Sequence, residues 1–328
     1  MSSALKQWVL RRGGLLLATT MLIGFSQSSG VASASLSPDA VIAKELKAQL
    51  SVKVLPKNLE PGLYVTNQNI YAVGGAAYAT VACSPYGSPS EAYHPVPCWF
   101  GDKSATRTIA LFGDSMALNW IPALDVVGKH LHWKVAMYSF SGCVPADVSS
   151  GAPGGAFNAT QIAACGAWHS TLPKAIRAIG AQVVIGANAT PTLFSGDTAF
   201  LAGLKRVYDR MDSSTYHPTK LIMGFTPHLH WNVPACLATH RTSIDFCTMH
   251  YSLSDTYGYG PSVRRDDRMK AEVGATVIPT ARWFCYHGAC PVVLTNKLVF
   301  VDGDHTTIKF SLHLEPAFEE ALRPYLAT

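Results

Sequence analysis

Charge is scarce in this chain: only 14% of its 328 residues are Asp, Glu, Lys or Arg, and the formal net charge is +5. Much of that excess sits at the N-terminus. Removing residues 1–34 removes Lys6, Arg11 and Arg12 and no acidic residue, which leaves +2. So weak a bias gives no argument for nucleic acid or an anionic surface as a partner. After the first 34 residues there is no run of about 18 uninterrupted apolar residues, so no later membrane span is predicted. Paired C-x-x-C spacing is missing, which argues against a structural zinc site. Internal repeats and low-complexity tails are also missing, which excludes repeat arrays and disordered binding tails.

What is present at the N-terminus reads as a secretory leader. Lys6, Arg11 and Arg12 precede an apolar stretch, residues 15–25, too short to span a bilayer comfortably. Ala32-Ser33-Ala34 supplies a small-x-small cleavage site, so the mature chain is predicted to begin at Ser35. An uncleaved anchor is the other reading. Either way the protein is expected to be secreted or held in the cell envelope. Eight cysteines follow the leader, an even count that points to disulfides in an exported chain. Sequential pairing closes four short loops: Cys83–Cys98, Cys143–Cys165, Cys236–Cys247 and Cys285–Cys290. Each is worth roughly 2–3 kcal/mol in the chain-entropy model, less any strain.

Residues 35–107 show no alternating pattern and are rich in Pro, Gly and Ser in places, so an irregular N-terminal extension packed on a core is expected. From 108 to 328 the pattern is regular. Strands are predicted over 108–112, 133–138, 182–187, 221–226 and 298–302. Helical spacing marks 116–131, 161–179, 198–211, 263–273 and about 311–325. The first strand is continuously apolar, as expected when both sheet faces are covered. Strand–helix alternation over one large domain predicts an α/β fold with a central parallel sheet between helical layers. Ligand sites in such sheets lie beyond the carboxyl ends of the strands.

Gly113-Asp114-Ser115 closes the first of those strands, and Asp302-x-x-His305 follows the last. A serine hydroxyl is a poor nucleophile at neutral pH. It needs a base, and the base needs its tautomer fixed. Ser115 is therefore the candidate nucleophile, His305 its base and Asp302 the orienting carboxylate. The plain alternatives are Ser115 as a helix N-cap and His305 as a surface histidine. Asp304 competes with Asp302, but an i, i+3 carboxylate folds back onto an imidazole more readily. Asp114 is expected to anchor its turn. Acyl transfer also requires donors for a tetrahedral oxyanion. The backbone N–H groups of Ser115 and Gly142 and the side-chain amide of Asn188 are candidates, because each follows a predicted strand end. Asn188-Ala-Thr190 is also a glycosylation sequon, and a glycan there would block that role. His228-Leu-His230-Trp231 reads as a core-packed loop or the wall of a sugar cleft. The run 264–268, rich in Arg and Asp, reads as a solvated helix face.

Ser115, Gly142, Asn188 and His305 resemble, in order, the four marks of the SGNH (GDSL-type) esterases. Cys98-Trp-Phe-Gly-Asp102, Ser141-Gly-Cys-Val-Pro145, Cys285-x-x-x-x-Cys290 and Val301-Asp-Gly-Asp-His305 are similar to one branch. That branch is the SGNH domain at the C-terminus of acyltransferase-3 membrane proteins. The resemblance runs from about residue 55 to the end. It implies a flavodoxin-like three-layer fold, no cofactor or metal, and acyl-ester chemistry, chiefly acetyl, on cell-envelope glycans. Two departures matter. Met116 stands where the branch usually has histidine. The multi-helix membrane half of the branch is not in this sequence. The acyl group is therefore expected from a separate membrane acyltransferase, or else the protein acts as a hydrolase. A non-catalytic glycan-binding protein on the same fold and a lipase-like esterase are the rival expectations.

Overall fold

The computed structural model describes residues 36–64, 94–148, 158–188, 197–255 and 259–327. The expected leader and Cys83 lie outside these residues. Within 35–107 the structure adds two regular elements that the sequence pattern does not announce. Helix α1 (Pro38–Gln49) starts with Ser37 as its N-cap and a proline in its first turn. It buries only Ile42, Leu46 and Gln49, too narrow a stripe to stand out. Strand β1 (Cys98–Gly101) lies antiparallel to the edge of the central sheet, against β3 (Lys134–Ser139).

The regular part follows the expected alternation. Strand β2 (Thr108–Gly113) leads through a tight 3-10 turn (Ser115–Trp120) into α2 (Ile121–Leu131). After β3 come α3 (Ala159–Ala178), β4 (Val183–Ala187), α4 (Asp197–Asp209) and β5 (Thr219–Met223). A short helix α5 (Val233–Thr239) and strand β6 (Met249–His250) precede α6 (Tyr259–Val273) and β7 (Thr276–Ile278). The C-terminal part holds β8 (Ala289–Cys290), β9 (Val293–Leu294), β10 (Lys297–Leu298), α7 (Ile308–His313) and α8 (Glu315–Leu326). The central sheet runs β1-β3-β2-β4-β5-β7, parallel throughout except for β1.

Strand β2 shows why its sequence lacks polar alternation. Ile109 and Leu111 enter the cluster that includes Leu124, Trp283, Phe318 and Leu322. Ala110 and Phe112 enter the opposite cluster with Trp168, Leu172, Phe200 and Leu204. Both faces are dry, so the four positions from Ile109 to Phe112 are all apolar.

Two expectations need correction. The apolar run 298–302 is not a strand of the central sheet. Only Lys297 and Leu298 are extended in a ladder, antiparallel to Leu294 and Val293. The run is apolar because Leu298, Val299 and Phe300 are buried in the main core. Its backbone is satisfied outside the central sheet, with Leu298 N–H donating to Glu60 (2.9 Å) and Val299 N–H to Val292 (3.0 Å). The sheet edge is instead β7, three half-exposed to buried residues near Gly274 and Pro279, too short to read as a strand. Nor is the 264–268 run wholly solvated. Arg265 is 3% exposed, lies over the Phe200 ring and pairs with Asp266 at 3.3 Å, because α6 packs on α4.

Candidate active site

Gly113 ends β2 between two neighbours, opposite Ser139 of β3 and Ala187 of β4. A side chain at 113 would place its Cβ 1.8 Å from the Ala187 carbonyl oxygen. Only glycine permits this approach. The chain then turns. Asp114, 2% exposed, accepts the Met116 N–H at 2.9 Å, and its carbonyl accepts the Ser139 hydroxyl at 2.9 Å. Asp114 is thus the cap of the 3-10 turn, which leaves the Ser115 hydroxyl available for another partner.

That partner is His305, whose Nε2 lies 3.0 Å from Ser115 Oγ. On its other side, His305 Nδ1 lies 2.8 Å from Asp302 Oδ2. The remaining Asp302 oxygen accepts the backbone N–H of Asp304 (3.0 Å) and of His305 (2.8 Å). One carboxylate therefore folds the turn and fixes the ring. His305 reaches Ser115 from a loop outside the central sheet, not from a sheet strand end as its position after 298–302 suggests. Gly142 and Asn188 do follow sheet strands. Ser139 and Ala187 both pair with Gly113, so the segments leading to Ser115, Gly142 and Asn188 leave three adjacent strands at one level. Gly142 has φ +78°, the left-handed region that favours glycine. Asn188 is 9% exposed.

The Gly142 loop is anchored on both sides. Phe140 N–H donates to the Gly113 carbonyl at 2.9 Å. Cys143 is bonded to Cys165 of α3, and His169 donates to the Val144 carbonyl at 2.7 Å. Burial disfavours the charged form of His169 and lowers its pKa, while the Val144 carbonyl opposes that shift. Cys236–Cys247 and Cys285–Cys290 are likewise formed. Cys98 is disulfide-bonded, and its expected partner Cys83 lies outside the described residues.

Burial of His305 opposes its charged form, but the hydrogen bonds and charges of Asp302 and Asp304 outweigh this and push its pKa up to about 10. Because the folded value exceeds the unfolded one, this interaction stabilises the fold fully below the ordinary histidine range. The contribution is lost as pH rises through about 10.

Sequence reasoning missed Asn119. It is 1% exposed, and its side chain joins the two halves of the site. Asn119 Oδ1 accepts the Thr306 N–H at 3.1 Å, and its amide donates to the Asp304 carbonyl at 3.3 Å. The one available signal was an amide inside an apolar helical pattern. Asn119→Ala strands the buried Thr306 N–H and the half-buried Asp304 carbonyl and is expected to cost about 2–4 kcal/mol. Urea denaturation measures this, and a loss below about 1 kcal/mol contradicts the stapling role. His228 also has a partner that its motif did not reveal: its Nδ1 lies 3.0 Å from Asp304 Oδ2. Leu229 beside it is buried in the core.

A hydroxyl, an imidazole and a carboxylate in series, beside the carboxyl ends of a doubly covered parallel sheet, define a three-layer α/β protein of hydrolase type. The chain belongs to the family of SGNH domains (fused to AT3 domains), whose model matches residues 82–320. The periplasmic domain of the Salmonella ser. Paratyphi A lipopolysaccharide acetyltransferase shares the fold at 14% identity and a TM-score of 0.51. That alignment covers 69% of this chain and 86% of the other. A carbohydrate acetylesterase from Sinorhizobium meliloti aligns at 14% identity and a TM-score of 0.41, over 66% and 99% of the two chains. No curated protein matches the sequence. At 14% identity the likeness to the acetyltransferase domain bears on fold, not on substrate.

Proposed function

We propose that the protein is an exported serine esterase or O-acyltransferase acting on acyl esters, chiefly acetyl, of cell-envelope glycans. The observation that carries this reading is the continuous contact from Asp302 through His305 to Ser115, at 2.8 and 3.0 Å. In the neutral ring, the form that gains population as pH rises toward about 10, Nδ1–H donates to Asp302 and Nε2 accepts the Ser115 proton. Oγ attacks the ester carbonyl, and the carbon–oxygen double bond becomes an oxyanion. The Ser115 and Gly142 N–H groups and the Asn188 amide are its proposed donors. Collapse breaks the bond to the leaving alcohol, which takes the proton from the imidazolium. The acyl group now sits on Ser115. Water, or a sugar hydroxyl, next gives its proton to His305 and attacks the acyl carbon. This releases the carboxylic acid or a new ester and restores Ser115. In the transfer branch a membrane acyltransferase is the proposed source of acyl groups.

The three disulfides among the described residues support an oxidising compartment, since such bonds rarely persist in the cytosol. Among the described residues no helix is long and apolar enough to cross a membrane. The family match supports acyl-ester chemistry; the glycan and the acetyl group are the finer part of the reading. Intact-protein mass analysis after incubation with an aryl acetate tests it. One added acetyl group is expected. A candidate sugar acceptor should discharge it faster than water if transfer is the function. No covalent adduct, together with glycan binding that survives loss of Ser115, favours the non-catalytic alternative.

A further inference from the structure

We propose that Asp304 is a second orienting carboxylate of His305, held in place by His228, so that the imidazole is clamped by two acids. This rests on the reading of Ser115 and His305 as a catalytic pair. His305 Nδ1 lies 3.0 Å from Asp304 Oδ1 as well as 2.8 Å from Asp302 Oδ2. One N–H cannot point straight at two acceptors, so the carboxylates share it. Their settings differ. The Asp302 side chain is 38% exposed and already accepts two backbone N–H groups. The Asp304 side chain is 19% exposed, so its charge is screened less by water. Asp302 chiefly shapes the turn; Asp304 chiefly supplies field.

Asp304 is fixed from two further directions. Its free oxygen meets His228 Nδ1 at 3.0 Å, and its carbonyl accepts the Asn119 amide. His228 is held in turn by Tyr251, which accepts the His228 N–H at 3.1 Å and donates to its carbonyl at 3.3 Å. The loop after β5 is also zipped to the 302–304 turn. Leu229 N–H donates to Gly303 (2.7 Å) and Val233 N–H to Asp302 (2.9 Å). A Cβ at Gly303 would lie 2.6 Å from the Leu229 carbonyl oxygen, so the two segments leave no room to slide. The charged and titratable groups around His305 are Asp302 and Asp304 on its own turn and His228, which acts through Asp304. Asp114 at the end of β2 turns an oxygen to the Met116 N–H. Hydrogen bonds from His228 and His305 overcome the burial penalty on Asp304 and hold its pKa below the usual carboxylate range.

The test is an NMR titration of the His305 ring in labelled protein, with its signal assigned by its disappearance in His305→Gln. Asp304→Asn is expected to lower the titration midpoint by about 1–3 pH units. The acid limb of kcat/KM should fall by the same amount. Asp304→Glu restores the charge and should recover most of both. A folded Asp304→Asn protein with an unmoved midpoint overturns the proposal. If that variant does not fold, Asp302→Asn decides: with Asp304 still present, His305 should titrate above the ordinary histidine value, and a midpoint at or below it overturns the clamp. The ring titration does not depend on turnover. Failure of the serine-esterase reading is therefore seen separately, as catalysis that survives loss of Ser115.

Discussion

Replacing Ser115 with alanine lowers ester turnover by about 10⁴-fold or more and removes the acyl adduct. The hydroxyl is the atom that forms the covalent bond, and no neighbouring group substitutes for it. Its side chain reaches toward His305 Nε2, away from the core, so the fold does not depend on it. The variant should therefore unfold at the wild-type denaturant midpoint. Assay against an aryl acetate and an acetylated sugar checks both claims at once. Unchanged turnover on both substrates ends the serine mechanism. Turnover lost along with the fold would instead point to a structural serine.

Gly113→Ala should damage both stability and activity. Its Cβ would stand 1.8 Å from the Ala187 carbonyl oxygen and 2.8 Å from the Ala187 carbonyl carbon. Both obstacles are backbone atoms of the adjacent strand, so no side-chain rotation relieves them. Strands β2 and β4 must part at their carboxyl ends. That motion separates the segment bearing Ser115 from the segment bearing Asn188. The expected loss is about 3 kcal/mol or more, the upper end for overpacking. Urea unfolding measures it. A wild-type midpoint with wild-type turnover would show that the strands are not held in this register.

The cost of Asn119→Ala and the shift in Asp304→Asn follow from the same circumstance. The site joins segments far apart in the chain, and its internal ties are side chains that carry no motif of their own. Ser115 and His305 are 190 positions apart, and Asn119 and Thr306 are 187 apart.

Much of the architecture was legible locally. A strand dry on both faces shows no polar alternation, so β2 declares itself through Ile109 to Phe112. The amphipathic helix α4 (Asp197–Asp209) does so through its buried stripe of Phe200, Leu201, Leu204 and Val207. Short pieces were not legible. Three residues of β7 hold too little pattern, and the apolar run 298–302 imitates a strand because it is buried like one. Ser115, Gly142 and Asn188 were also readable, since turn glycines and strand ends are properties of neighbouring residues, and His305 was readable from its Asp302-x-x-His305 turn and not from a strand end. The buried position of Arg265 was not, because charge composition looks alike on a solvated helix face and on one packed against α4.

The amino-acid sequence by itself determined the layered α/β plan and the candidate nucleophile, base and acid, because strand period, helix period and turn chemistry act within a few residues. Only the tertiary structure decided that His305 arrives from outside the sheet, that Asp302 and Asp304 share its proton, and that Asn119 and His228 hold that arrangement. Those outcomes depend on which segments pack together and how much water they exclude, and neither is a property of adjacent residues.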